Sequence, residues 1–88
     1  MIKDLKAQAE KAINEVNFRY SRGIKFFLED LMAVQVCLNE TNYLSFKGYL
    51  SNKLQNEKIA VPTWINGKKG FMKKYWRGGY YGTIYSLY

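Results

Sequence analysis

Few side chains in this sequence are equipped to attack, ligate or shuttle protons. The chain has no histidine and one cysteine, Cys37. Most familiar hydrolytic dyads and all cysteine-based metal clusters therefore lack their residues. Cys37 follows the charge-free run Leu31–Val36, with no base to activate it, which is the setting of a buried, inert thiol. Glu29 and Asp30 are adjacent, but neighbours on a helix point about 100° apart and cannot flank one bond. Asp4, Glu10, Glu15, Glu40 and Glu57 have no companion carboxylate at a metal-binding spacing. Gly67-Lys68-Lys69-Gly70 and Arg77-Gly78-Gly79 share composition with phosphate-binding loops, yet neither fits the strand–GxxxxGK[ST]–helix pattern. Both read as turns. The sequence predicts no enzymatic activity, no cofactor and no metal.

Binding chemistry is better represented. Fourteen Lys and Arg stand against seven Asp and Glu among 88 residues, a net charge of +7. The excess is local. Glu57 is the last acid, and beyond it lie Lys58, Lys68, Lys69, Lys73, Lys74 and Arg77. Eight of the fifteen aromatic residues also fall after Glu57: Trp64, Phe71, Tyr75, Trp76, Tyr80, Tyr81, Tyr85 and Tyr88. Lysines attract phosphates irrespective of base sequence, and flat rings stack on unpaired bases. The sequence thus nominates Lys68, Lys69, Lys73, Lys74 and Arg77 to hold a backbone, with Trp76, Tyr80 and Tyr81 to stack. A strand alternates its faces, so Lys74 with Trp76 point one way and Lys73 with Tyr75 the other. Some of these rings must fill a core, because a chain this short buries only about 60–65% of its unfolded surface.

The elements that position these groups follow from periodicity. Ile2, Leu5, Ala9, Ala12, Ile13, Val16 and Tyr20 recur at spacings of three and four, predicting a helix over residues 2–20. Gly23 breaks it. Ile24, Phe27, Leu28, Leu31, Val34 and Leu38 form a second stripe, predicting a central helix over 24–39 packed antiparallel to the first. Leu28, Leu31, Ile13 and Val16 are expected among the most buried side chains. Residues 43–57 alternate like a strand at Leu44, Phe46 and Gly48, but Phe46, Leu50 and Leu54 step by four, and a helix is the reading adopted. Pro62 limits 59–65 to an edge strand. Asn66-Gly67 signals a tight turn, opening a basic loop over 66–70. Strands are expected at 71–76 and 80–88, separated by a turn at 77–79.

The predicted fold class is α+β: a helical scaffold over 1–57 and a basic, aromatic β-rich part over 58–88, in a single domain. Three helices followed by a β-hairpin or meander resemble the order of a winged-helix domain, and that resemblance implies DNA contact by the third helix and the wing. The favoured partner is nucleic acid or nucleoprotein. The alternative is an acidic surface on a larger, nucleic-acid-processing protein, approached by a small inhibitor or adaptor in the style of phage-encoded antagonists such as anti-CRISPR proteins. No membrane span is expected, since no apolar run approaches the roughly 20 residues required. One cysteine and an early acid, Asp4, suit a cytoplasmic, reducing compartment better than secretion. Tyr-rich edge strands also allow pairing between copies.

Overall fold

A computed structural model describes residues 1–74. The first helix, α1 (Leu5–Arg19), starts where Asp4 caps it, its carboxylate accepting the Ala7 N–H at 3.0 Å. Ala9, Ala12, Ile13 and Val16 line its inner face without exposed surface. At Tyr20 the backbone turns extended and the helix stops.

Residues 24–39 do not form the single helix that their apolar stripe suggests. They fold as a short strand, β1 (Lys25–Phe26), a 3-10 turn (Leu28–Asp30) and one turn of helix, α2 (Met32–Gln35). Tertiary partners override periodicity here. Phe26 pairs with Phe71, far along the chain. The Phe27 N–H donates to the Asp30 carboxylate at 3.0 Å, and the Glu15 carboxylate accepts the N–H groups of Met32 and Ala33 at 2.7 and 3.0 Å. Those acceptors satisfy backbone donors that a continuous helix would have bonded internally. Leu28, Leu31, Val34 and Cys37 are still buried, while Met32 and Val36 are 67% and 71% exposed.

The next helix, α3 (Tyr43–Asn56), follows the four-residue step: Phe46, Leu50 and Leu54 are fully buried. Asn42 precedes it, but its side chain grips the Ile2 backbone, accepting the N–H at 2.9 Å and donating to the carbonyl at 3.0 Å. The helix ends in a Schellman motif. Lys58 adopts φ 59°, its N–H donates to the Gln55 carbonyl, and the Ile59 N–H donates to the Leu54 carbonyl. Leu54 and Ile59 are both fully buried.

That cap aims the chain into β2 (Ala60–Ile65), which pairs antiparallel with β3 (Lys68–Lys73). The basic loop expected over 66–70 is shorter than that. Asn66 and Gly67 alone make the turn, with φ 52° and 80°, the positive pair of a type I′ hairpin. Lys68, Lys69 and Gly70 already belong to β3. Gly70 is in the strand because a Cβ there would lie 2.6 Å from Ile65 Cδ1 and 2.8 Å from the Phe26 carbonyl oxygen. β1 completes an antiparallel sheet of order β1-β3-β2. Among the described strands β2 lies at an edge of the sheet, the position at which Pro62 is tolerated. One core cluster runs from Ala9 to Phe71 and includes Ile13, Val16, Leu28 and Leu31 as expected. The fold is α+β, helices first and a small three-stranded sheet closing the described chain.

Candidate functional site

Cross-strand partners share a face, and successive residues alternate. The register therefore sorts the hairpin. Ala60, Pro62 and Trp64 of β2 stand with Lys69, Phe71 and Lys73 of β3 and Phe26 of β1 on the face that meets the helices. Val61, Thr63 and Ile65 stand with Lys68, Gly70, Met72 and Lys25 on the other. Along the helix-facing side burial fades toward the turn. Ala60, Phe71 and Lys73 are buried, Pro62 and Lys69 are exposed, and Trp64 is 70% exposed. The end of the hairpin outruns the helical layer.

This sorting corrects one nominated residue. Lys73 has no exposed surface, and its ammonium donates to the Tyr20 carbonyl at 2.9 Å and to the Val16 carbonyl at 3.4 Å. Those carbonyls close α1, where a cation complements the helix dipole. Burial nonetheless lowers its pKa from 10.5 to about 8. Lys73 therefore ties α1 to the sheet and does not face a ligand. Lys68, Lys69 and Lys74 are exposed. Trp76, Arg77, Tyr80 and Tyr81 lie outside the described residues. Lys25 joins the outer face of the sheet opposite Met72, a position that periodicity alone could not reveal because β1 is hidden in an apolar stripe. Trp64, opposite Lys69, was also within reach of the sequence, since a two-residue turn at Asn66-Gly67 dictates that pairing.

The charge balance has a structural cause. Each of the seven acids is engaged in the helical part. Asp4 and Asp30 accept backbone N–H groups, and Glu15 holds Met32, Ala33 and Arg19. Glu29 pairs with Lys47 at 2.8 Å, Glu57 with Lys53 at 3.1 Å, Glu10 with Lys53 at 3.8 Å, and Glu40 faces the Met1 amino group. Burial pushes the Glu15 carboxyl up, but the Ala33 and Met32 N–H groups and the Arg19 guanidinium outweigh it and hold the group below 4.5. The Lys47 ammonium likewise holds Glu29 below its ordinary value, against burial. Among the described residues, Lys25, Lys68, Lys69 and Lys74 form no ion pair. The Lys68 ammonium sits over the Phe27 ring, 4.8 Å from its centre.

Elsewhere the chemistry is sparse. Cys37 is 4% exposed, its thiol 3.5 Å from the Ala33 carbonyl, and burial pushes its pKa above 9.0. It borders a shallow cleft of about 360 Å³ between the start of α1 and the α2 segment, where Lys11 and Glu40 also stand. Among the described residues no three His, Cys, Asp or Glu side chains gather to hold a metal. Nor is any described helix long and apolar enough to cross a membrane. Neither a protein family, a curated protein nor a solved structure matches the chain.

Proposed function

We propose that this protein is a non-enzymatic binding module that contacts nucleic acid through its β2–β3 hairpin. One observation carries the reading. Every acid is spent on intramolecular contacts, while the exposed lysines of the sheet form no ion pair among the described residues and have no acid beside them on β2 or β3. Such a surface attracts phosphates with a strength that falls steeply with salt. The order helix, strand, helix, helix, hairpin and the sheet order β1-β3-β2 support the reading by their likeness to a winged-helix domain, whose third helix and wing contact DNA. The exposed side of α3 is consistent with it, presenting Ser45, Asn52, Gln55 and Asn56 and no acid.

Gel-shift titrations at two salt concentrations test it. Neutralising Lys68 and Lys69 together should reduce the log–log salt slope by about two units. Wild-type protein that binds no oligonucleotide at low salt would remove the reading.

A second reading draws on a different observation. Met32, Val36 and Leu38 are 67%, 71% and 60% exposed on and just after α2, and exposed apolar side chains of this size suit a protein interface. An inhibitor or adaptor docking on a nucleic-acid-processing protein would keep its partner after nuclease treatment. A nucleic-acid binder would lose partners held through the nucleic acid.

A further inference from the structure

Resting on the nucleic-acid reading, we infer that the hairpin selects single strands: Trp64 stacks on an unpaired base while Lys69 holds the phosphate beside it. Trp64 is 70% exposed, on a strand position where the fold gains little from so large a ring. Its direct cross-strand partner is Lys69, itself exposed. Directly paired positions place their Cβ atoms about 4.5–5.5 Å apart on one face, so the two side chains leave the sheet as neighbours on that face. The turn fixes that pairing. Asn66 and Gly67, both at positive φ, allow no extra residue between Ile65 and Lys68, and the register then runs unbroken to Ala60↔Lys73.

The surroundings suit the same ligand. Pro62, the next residue along this face of β2, is exposed and apolar, so the indole stands at the end of an open, acid-free shelf. The side chains opposite are Lys69 and then buried Phe71. Stacking requires a free base face. A duplex hides its base faces within the stack and offers only edges and phosphates, which the lysines engage equally well without Trp64. The ring therefore distinguishes single from double strands, and the lysines do not.

The experiment uses the Trp76→Phe protein, in which Trp64 is the sole tryptophan. The probes are an oligothymidine of about 15 nucleotides, within the range of single-strand site sizes, the corresponding duplex, and inorganic polyphosphate. Oligothymidine should quench Trp64 fluorescence, and polyphosphate should not. Trp64→Ala should weaken oligothymidine binding about tenfold and duplex binding less than about twofold. Trp64→Phe should recover most of the loss, because the flat face is retained, and Lys69→Gln should weaken binding of the oligothymidine and the duplex alike. Circular dichroism of each variant verifies the fold. Binding of both nucleic acids without quenching, and unchanged by Trp64→Ala, would overturn the single-strand inference and leave the proposed function standing. Failure of every nucleic-acid probe would overturn both. Loss of a specific protein partner on Trp64→Ala, with oligothymidine affinity unchanged, would assign the ring to a protein interface and likewise overturn it.

Discussion

Replacing Lys73 with methionine should remove a rise of stability with pH that the parent protein shows above about pH 8. The ammonium has no exposed surface, and burial lowers its pKa from 10.5 to about 8. Between those values the unfolded chain keeps the proton and the folded chain has released it, so stability increases with pH. The group's contribution is complete above 10.5 and lost as pH falls through 8. The slope is at most about 1.4 kcal/mol per pH unit, and the whole effect at most about 3 kcal/mol. Two other groups tilt the other way. Burial pushes the Cys37 thiol above 9.0 and the Tyr20 hydroxyl above 10.0, so each loses stability as pH climbs past its ordinary value. The measurement therefore belongs in a Cys37→Ala background between about pH 7 and pH 10, by urea unfolding. Methionine is the right replacement because it fills a similar space without a charge, and the Val16 carbonyl keeps its bond from the Tyr20 N–H at 3.1 Å. At pH 7 the variant should lie within about 1 kcal/mol of its parent, since a buried charge and an apolar isostere are often close in net stability. A parent that gains nothing between pH 8 and 10, or a variant that keeps the full slope, would refute the reasoning. Nucleic-acid affinity of the folded variant should change less than about twofold, unlike that of the Lys68/Lys69 double variant.

Gly70→Ala should cost about 1–3 kcal/mol in a denaturant melt, because its Cβ would meet both Ile65 Cδ1 and the Phe26 carbonyl. Adding Ile65→Val should restore only part of that, since the backbone oxygen remains 2.8 Å away. Lys58→Gly should raise stability by about 0.5–1 kcal/mol, measured the same way, by relieving the left-handed conformation at φ 59°. Glu15→Gln should cost about 1–2 kcal/mol at neutral pH, because charge-assisted bonds to Met32, Ala33 and Arg19 weaken. In the parent, Glu15 contributes stability above pH 4.5 that is lost as pH falls through its lowered pKa. The glutamine variant should therefore show a flatter acid limb in melts between about pH 2 and pH 5.

Periodicity located α1 and α3 because each buries its stripe within its own length: Ala9, Ala12, Ile13 and Val16 in one, Phe46, Leu50 and Leu54 in the other. It failed over 24–39 and named only part of the buried set, since Ile24 and Leu38 of the stripe are 45% and 60% exposed while the buried Phe26 and Cys37 lie off it. Leu28, Leu31 and Val34 are buried in the fold as they would be in a helix, so burial alone does not fix the element. The deciding contacts come from elsewhere in the chain. Phe71 recruits Phe26 to the sheet, and Glu15 bonds the N–H groups that open α2. Asn66-Gly67 and Pro62 were legible because their backbone preferences are local.

The same contrast explains the site. Alternation separates Lys73 from Lys74 in the sequence, but it does not say which face the helices cover. Phe71 carries that information, since a buried phenylalanine two residues before Lys73 places the lysine on the inner face. What remains for a ligand follows from how the acids are used. Glu15, Glu29, Glu57 and their companions fasten helices and turns to one another, so the sheet carries its lysines with no acid of its own. Removing an acid from the helical part should therefore loosen the fold more than it enhances binding. Placing an acid at Thr63, on the same outer face as Lys68, should weaken phosphate contact at less structural cost than one at Ile65, whose side chain packs over Gly70. The acids are thus held in contacts that fasten the scaffold, and the proposed contact of the hairpin with a polyanion rests on that segregation of charge.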